Sequence, residues 1–155
     1  MKWKLSPKIK IYEALGCLAD GRLKITDSEV RVYSSSGNKY YTVQYSESEN
    51  AIMSNDNGSF WVGYLGYPSI AYLMKLRKLP FSKEYSEALK DIAWKDINTK
   101  NKNNFTETML EVDEIIKQRG IDIQKFHDFI DKVDKTIKEK DLNLLGMKQN
   151  PPKEY

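Results

Sequence analysis

The sequence predicts an α+β fold: an N-terminal helix, a three- or four-stranded antiparallel meander, a packed helix, then a C-terminal helical hairpin. Apolar residues recur at helical spacing near the N terminus, alternate with polar residues over residues 21–53, and return to helical spacing after residue 104. The chain has 155 residues, of which 40% are hydrophobic and 30% charged. This length and mixture favour a chain that folds in water.

The first helix is expected at about residues 6–19. Ser6-Pro7 is typical of an N-cap residue followed by proline at the first helical position. One helical face then carries three apolar residues, before Gly21 ends the helix. These are Ile11, Leu15 and Leu18.

Strands follow, because apolar and polar residues alternate in three runs separated by turn-forming segments. The runs are 21–25, 30–33 and 40–45. Residues 51–53 give an optional fourth strand between two further turns. The result is an antiparallel meander.

A second helix is expected to start at Tyr67-Pro68, to end before Pro80 and to pack on the sheet. The preceding stretch, residues 60–67, is unusually aromatic for a connection. We expect it to close the core as an aromatic wall. The alternative is an exposed stacking platform that includes Trp61.

The second half of the sequence is predicted to be helical. A short helix at 86–94 precedes an apolar-free segment, 98–104, that is expected to be a solvated linker. Two amphipathic stripes over residues 105–145 then form a helical hairpin. The hairpin is expected to bury its stripes on the α+β module of residues 1–97, or on a second copy in a homodimer. Residues 146–155 are predicted to form a flexible tail.

The composition excludes several kinds of site. Cys17 is the only cysteine and His127 the only histidine, so an internal disulfide is impossible and a Cys/His zinc site lacks most of its ligands. Cys17 is expected to be a buried structural thiol, because no cation is near it in sequence. His127 is expected to be partly exposed.

Enzyme motifs are also missing from the sequence. It contains neither a GxxxxGK phosphate loop nor a GxGxxG dinucleotide fingerprint. The carboxylates Glu111, Asp113 and Glu114 follow the pattern of a solvated helix face. We therefore expect a non-enzymatic protein without metal or cofactor. The absence of any long apolar run predicts a cytoplasmic protein with no membrane contact.

A serine-glycine turn enters a strand at residues 32–43, and a helix opens at residues 68–71. Through these two motifs, residues 32–74 resemble a SWIM domain, a zinc-binding ββα module predicted to bind DNA or proteins. The four positions at which the family places its zinc ligands hold other residues here. They are Ile52, Ser54, Ser69 and Ala71. The resemblance thus implies a zinc-free module in which apolar packing replaces the metal.

The charge distribution favours the N-terminal part as the binding region. Residues 1–80 hold eleven Lys and Arg against seven Asp and Glu, and residues 81–155 hold fourteen against fifteen. Phosphate contacts would use such cations together with aromatic rings. The candidate binding residues are Arg31, Lys39, Tyr41, Trp61, Lys75, Arg77 and Lys78.

The sequence therefore predicts a binding module for nucleic acid, DNA in particular, or for a protein. The alternative is a small-molecule binder or small enzyme whose pocket lies near the aromatic segment 60–67.

Overall fold

The predicted antiparallel meander is present in the computed structural model, which describes residues 1–153. Its strands are β1 (Leu23–Ile25), β2 (Val30–Tyr33), β3 (Tyr40–Ser46) and β4 (Ala51–Ser54). They pair in chain order, each antiparallel to the one before. The α+β fold class predicted from the alternating pattern is confirmed.

A fifth strand, which the sequence did not predict, completes the sheet. Strand β5 (Asn143–Leu144) pairs with β4 in parallel orientation. The N-terminal residues lie beside it: the Trp3 N–H donates to the Leu142 carbonyl at 3.1 Å, and the Leu144 N–H donates to the Met1 carbonyl at 2.8 Å. A two-residue strand shows no alternation, so periodicity cannot reveal it.

Helix α1 (Ile9–Ala19) begins later than expected, and the predicted N-cap at Ser6 is wrong. The buried Ser6 hydroxyl donates instead to the Leu65 carbonyl, on the segment that enters the second helix. A distant acceptor thus replaces the local capping bond.

The aromatic segment divides into an exposed part and a buried part. A single π-helical turn (Gly58–Val62) presents Trp61, which is 72% exposed. Tyr64 and Leu65 are buried against the core, and helix α2 (Tyr67–Lys75) follows as predicted. The segment therefore closes the core with one end and faces solvent with the other.

The region after α2 differs from the prediction. Helix α3 (Lys83–Ala88) and helix α4 (Trp94–Lys100) replace the single helix expected at 86–94, and Asp91, with φ at +60°, lies between them. Helix α4 also takes up the first residues of the expected linker 98–104.

Tertiary contacts explain why this polar segment is helical. The indole of Trp94 is buried against Gly16 of α1, where a Cβ atom would lie 2.9 Å from the Leu89 carbonyl. The Asn98 side chain donates to Glu13, and Asn101 donates to Thr108. Anchoring of this kind overrides weak helix propensity.

The predicted helical hairpin consists of helices α5 (Phe105–Gln118) and α6 (Ile123–Lys140). Asp122 caps α6, and its side chain accepts bonds from two backbone N–H groups. The apolar stripes pack on α1, where the Phe126 ring meets Tyr12 edge-to-face with centroids 4.9 Å apart. The hairpin thus buries its stripes within the same chain.

Helix α1 lies at the centre of this core, where it packs against α2, α3 and the two helices of the hairpin. Cys17 is fully buried there, as expected, and burial raises the pKa of its thiol to about 12. Within residues 1–153, no helix combines the length and apolar character needed to span a bilayer. Residues 154 and 155 of the predicted flexible tail lie outside the described part of the chain.

Candidate functional site

The seven predicted binding residues lie on separate surfaces. Lys39 and Tyr41 line a cleft between the sheet, α1 and α4, and the Lys39 Nζ lies 5.6 Å from the Tyr41 ring centroid. Lys75 and Arg77 line a different groove at the end of α2. Lys78 forms an ion pair with a glutamate of the β3–β4 turn.

The other two candidates, Arg31 and Trp61, line neither the cleft nor the groove. The Arg31 Nε lies 2.6 Å from a Glu29 carboxylate oxygen, and its guanidinium lies 4.6 Å from the Tyr40 ring centroid. Trp61 packs edge-on against its neighbour Phe60. The fold therefore does not gather the predicted residues into one basic and aromatic face.

The positions that the SWIM resemblance assigns to zinc ligands are buried and lie partly together. The Ser69 hydroxyl donates to the Ser54 oxygen at 2.9 Å, and the Ser54 hydroxyl donates to Asp56. Ile52 and Ala71 are fully buried. Across residues 1–153, no three His, Cys, Asp or Glu side chains are grouped so that they could hold a metal ion.

The cleft between the sheet, α1 and α4, called the polar cleft below, has a volume of about 250 Å³. Its walls come from α1, the β2–β3 turn, the start of the π-helical turn, α2 and α4. Its charged lining comprises four basic and two acidic side chains. They are Lys10, Arg22, Lys39, Lys95, Glu13 and Asp56.

Lys10 and Glu13 form a buried ion pair on one turn of α1. The Lys10 Nζ lies 2.9 Å from a Glu13 oxygen, with side-chain exposures of 14% and 5%. Burial opposes the charge on Lys10, but Glu13, Tyr64 and Asp56 together outweigh burial, so the pKa of Lys10 is raised. Asn98 of α4 donates to the other Glu13 oxygen at 3.0 Å. Lys10 is therefore a fixed cation.

Arg22 is the second buried cation and follows α1 directly. Its Nη1 donates to the Tyr33 carbonyl at 2.8 Å and to the Tyr67 hydroxyl at 3.3 Å. Its Nε has no hydrogen-bond partner among the described residues, although an Asp20 carboxylate oxygen lies 3.6 Å away. The guanidinium is thus held in place through Nη1, while its Nε donor has no hydrogen bond.

Asp56 follows β4 by two residues and is a buried part of the cleft lining. Its carboxylate accepts hydrogen bonds from the Ser54 and Ser59 hydroxyls and from the Ser59 backbone N–H. A Cβ atom on Gly66 would lie 2.1 Å from it, so glycine is required at that close approach. Burial raises the pKa of Asp56, and the serine hydrogen bonds oppose that shift.

The lining of the cleft therefore holds more basic than acidic side chains. Two of its cations and both of its carboxylates are largely or fully buried. A concave site lined mainly by side chains of one charge attracts ions of the opposite charge. The geometry can hold a small anion with cations and hydroxyl groups around it.

His127 lies elsewhere, between α5 and α6. Its Nε2 lies 2.9 Å from an Asp113 oxygen, and the Tyr12 hydroxyl donates to the other Asp113 oxygen at 2.7 Å. The His127 side chain is 40% exposed, which confirms its predicted partial exposure. Asp113, expected on a solvated face, is instead buried as the acceptor that joins three helices.

Sequence reasoning missed most of the cleft: Lys10, Glu13, Arg22, Asp56 and Asn98. One signal was available, since Lys10 and Glu13 interrupt an otherwise apolar helix at i,i+3 spacing. The approach of Asn98 and Arg22 depends on tertiary packing, which single-sequence periodicity does not encode.

The fold and this cleft define the class: an α+β protein with a polar cleft lined by four basic and two acidic side chains. A family model described as "Uncharacterised conserved protein UCP014422" matches residues 3–143, so the chain belongs to that family. No curated protein and no solved structure matches the chain significantly.

Proposed function

We propose that this chain is a non-enzymatic, zinc-free binding module that holds a small anion, carrying a phosphate or carboxylate group, in the polar cleft. The observation that carries the proposal is the concentration of charged side chains buried around one cleft. Burying an ion pair generally contributes little to stability relative to apolar packing. The charges are therefore better explained by a ligand.

The size and the free polar groups of the cleft support a small ligand. A volume of about 250 Å³ lies below the roughly 300–1,000 Å³ typical of sites for drug-sized molecules. Among residues 1–153, the buried Asn98 Oδ1 and Arg22 Nε have no hydrogen-bond partner. Buried polar groups are usually paired, so a ligand with both acceptor and donor groups would satisfy them.

Two ionisable groups at or near the cleft, Lys10 and Cys17, are unsuited to catalysis. A general base or nucleophile needs a pKa near neutrality, whereas the pKa of Lys10 is raised and the amine stays protonated. The pKa of the nearby Cys17 is raised to about 12, which keeps the thiol unreactive.

Isothermal titration calorimetry at low salt with inorganic phosphate and with succinate tests the proposal. We expect at least one of the two anions to bind. The double variant Lys39→Gln/Lys95→Gln, called the rim variant below, should weaken that binding tenfold or more. The matched control Lys75→Gln/Arg77→Gln removes the same charge from another surface and should leave affinity unchanged. Equal weakening in both variants, or no binding of either probe, would contradict the proposal.

The nucleic-acid alternative is tested on the same variants with a labelled single-stranded DNA oligonucleotide. Diffuse phosphate contacts would be lost about equally from the rim and the control variant. That result, with no calorimetric binding of the small anions, would replace the cleft proposal by nucleic-acid binding over a dispersed basic surface.

A further inference from the structure

We propose that the groove at the end of α2 is a docking site for an acidic, amphipathic segment of a partner protein. The groove has a volume of about 550 Å³ and shares no lining residue with the polar cleft. It is lined by Leu18, Met74, Lys75, Arg77, Leu79 and Phe81.

The lining of this docking groove is apolar at its base. Met74 and Leu79 are 2% and 3% exposed, and Leu18 is partly buried at the end of α1. Phe81 is 46% exposed, so a large ring is open to solvent beside them. Partly exposed aromatic rings next to an apolar base are typical anchors for a partner's apolar side chains.

Two cations complete the docking groove. Lys75 and Arg77 are exposed, and within residues 1–153 neither forms an ion pair. No acidic residue is part of the lining. Charge complementarity therefore selects a segment that carries Asp or Glu beside its apolar residues.

The backbone at Arg77 gives an independent reason to assign a role to its side chain. Arg77 has φ at +61° directly after α2, and the Lys78 N–H donates to the Leu73 carbonyl. In this helix-ending motif the left-handed position is usually glycine, because a side chain is strained there. An arginine at a strained position is consistent with a functional side chain.

The combination of cations and apolar base favours a peptide segment over other anions. A small anion would contact the cations and leave the apolar base in water. An acyl chain would need an enclosed slot, whereas the exposed Phe81 leaves the docking groove open on one side. An amphipathic segment covers both features at once.

Fluorescence anisotropy with synthetic peptides tests this proposal. The first labelled peptide has Leu and Phe on one helical face and Glu on the other. The second has Lys in place of Glu, and the third is a scrambled form of the first. We expect the wild-type chain to bind the acidic peptide at least tenfold more tightly than the other two.

Variants then locate the site. Lys75→Glu/Arg77→Glu should reverse the preference, so that the basic peptide binds more tightly than the acidic one. Phe81→Ser should weaken the binding of the acidic peptide to the wild-type cations and of the basic peptide to the charge-reversed groove. The control Lys24→Glu/Lys125→Glu makes the same charge change elsewhere and should leave the preference for the acidic peptide intact.

Several outcomes would overturn the proposal. They are equal binding of the acidic and scrambled peptides, equal effects of the charge-reversal and control variants, or binding of dodecanoate to the docking groove without binding of any peptide. The rim variant Lys39→Gln/Lys95→Gln should retain peptide binding, which separates this test from that of the polar cleft.

Discussion

The two faces of α1 are built in opposite ways. On the hairpin side, Tyr12 packs against Phe126, and the Tyr12 hydroxyl and His127 both bond to Asp113. On the cleft side, Lys10 and Glu13 are buried as a charged pair. On the hairpin face, apolar packing is combined with polar side chains that hydrogen-bond to one another. On the cleft face, buried polar atoms such as Arg22 Nε and Asn98 Oδ1 have no hydrogen-bond partner among the described residues.

This difference separates packing from function. Burying a side chain such as Phe126 contributes about 1.5–3 kcal/mol to folding. A buried ion pair is often no better than apolar residues of the same volume, and replacing it is neutral or stabilising by about 1–4 kcal/mol. The hairpin face is thus explained by stability, and the cleft face needs another explanation.

The largest expected effect is on the hairpin face. Phe126→Ala should lower the free energy of unfolding by about 3–5 kcal/mol, because this α6 ring is fully buried against Tyr12 of α1 and Tyr85 of α3. Leu110→Ala, at a side chain 61% exposed on the same hairpin, should change it by less than about 0.5 kcal/mol. Urea unfolding measures both. A loss for Phe126→Ala as small as the one expected for Leu110→Ala would show that the hairpin is not part of the core.

A smaller effect, dependent on pH, is expected at Asp56. Because burial raises its pKa above the ordinary 3.8, the folded chain binds this proton more tightly than the unfolded chain. Its contribution to stability is therefore present at low pH and is lost as the pH rises through the folded pKa. The loss amounts to about 1.4 kcal/mol for each unit of the pKa difference.

Asp56→Asn, which cannot titrate, provides the comparison. Urea unfolding of both proteins at pH 4 and pH 8 should show that the advantage of the wild-type chain over the variant shrinks as the pH rises. An advantage that grows with pH would mean that Asp56 is stabilised as a carboxylate.

The smallest effect is expected at the docking groove. Arg77→Gly relieves the left-handed strain and should raise the free energy of unfolding by up to about 1 kcal/mol. Lys75→Gly removes the same charge inside α2 and should lower it by up to about 1 kcal/mol. A loss of stability in both would indicate that the Arg77 side chain supports the fold.

The fold was predictable where periodicity is strong. The alternating residues of β2 and β3 and the stripe from Phe126 to Ile137 indicated their elements correctly. Strand β5 and helix α4 were missed, because a two-residue strand has no pattern and the largely polar α4 depends on contacts with α1. Local sequence patterns therefore predict the elements that have a strong periodicity, and they miss the elements that depend on contacts with distant residues.

The candidate site was less predictable than the fold. Lys39 and Tyr41 were singled out from the sequence and do line the polar cleft, but Lys10 and Arg22 were not. Cations are common on protein surfaces, and only the three-dimensional arrangement shows which are buried.

The most direct test of the account is the double variant Lys10→Met/Glu13→Leu, compared with Lys8→Met/Asp131→Leu at the exposed ion pair of the same helix region. Stability and affinity for the anion bound by the wild-type chain, inorganic phosphate or succinate, are measured for both. The account predicts that the cleft variant stays within about 1 kcal/mol of the wild-type stability or exceeds it, while its anion affinity falls at least tenfold and that of the control is unchanged. A cleft variant that is strongly destabilised yet binds the anion normally would contradict it.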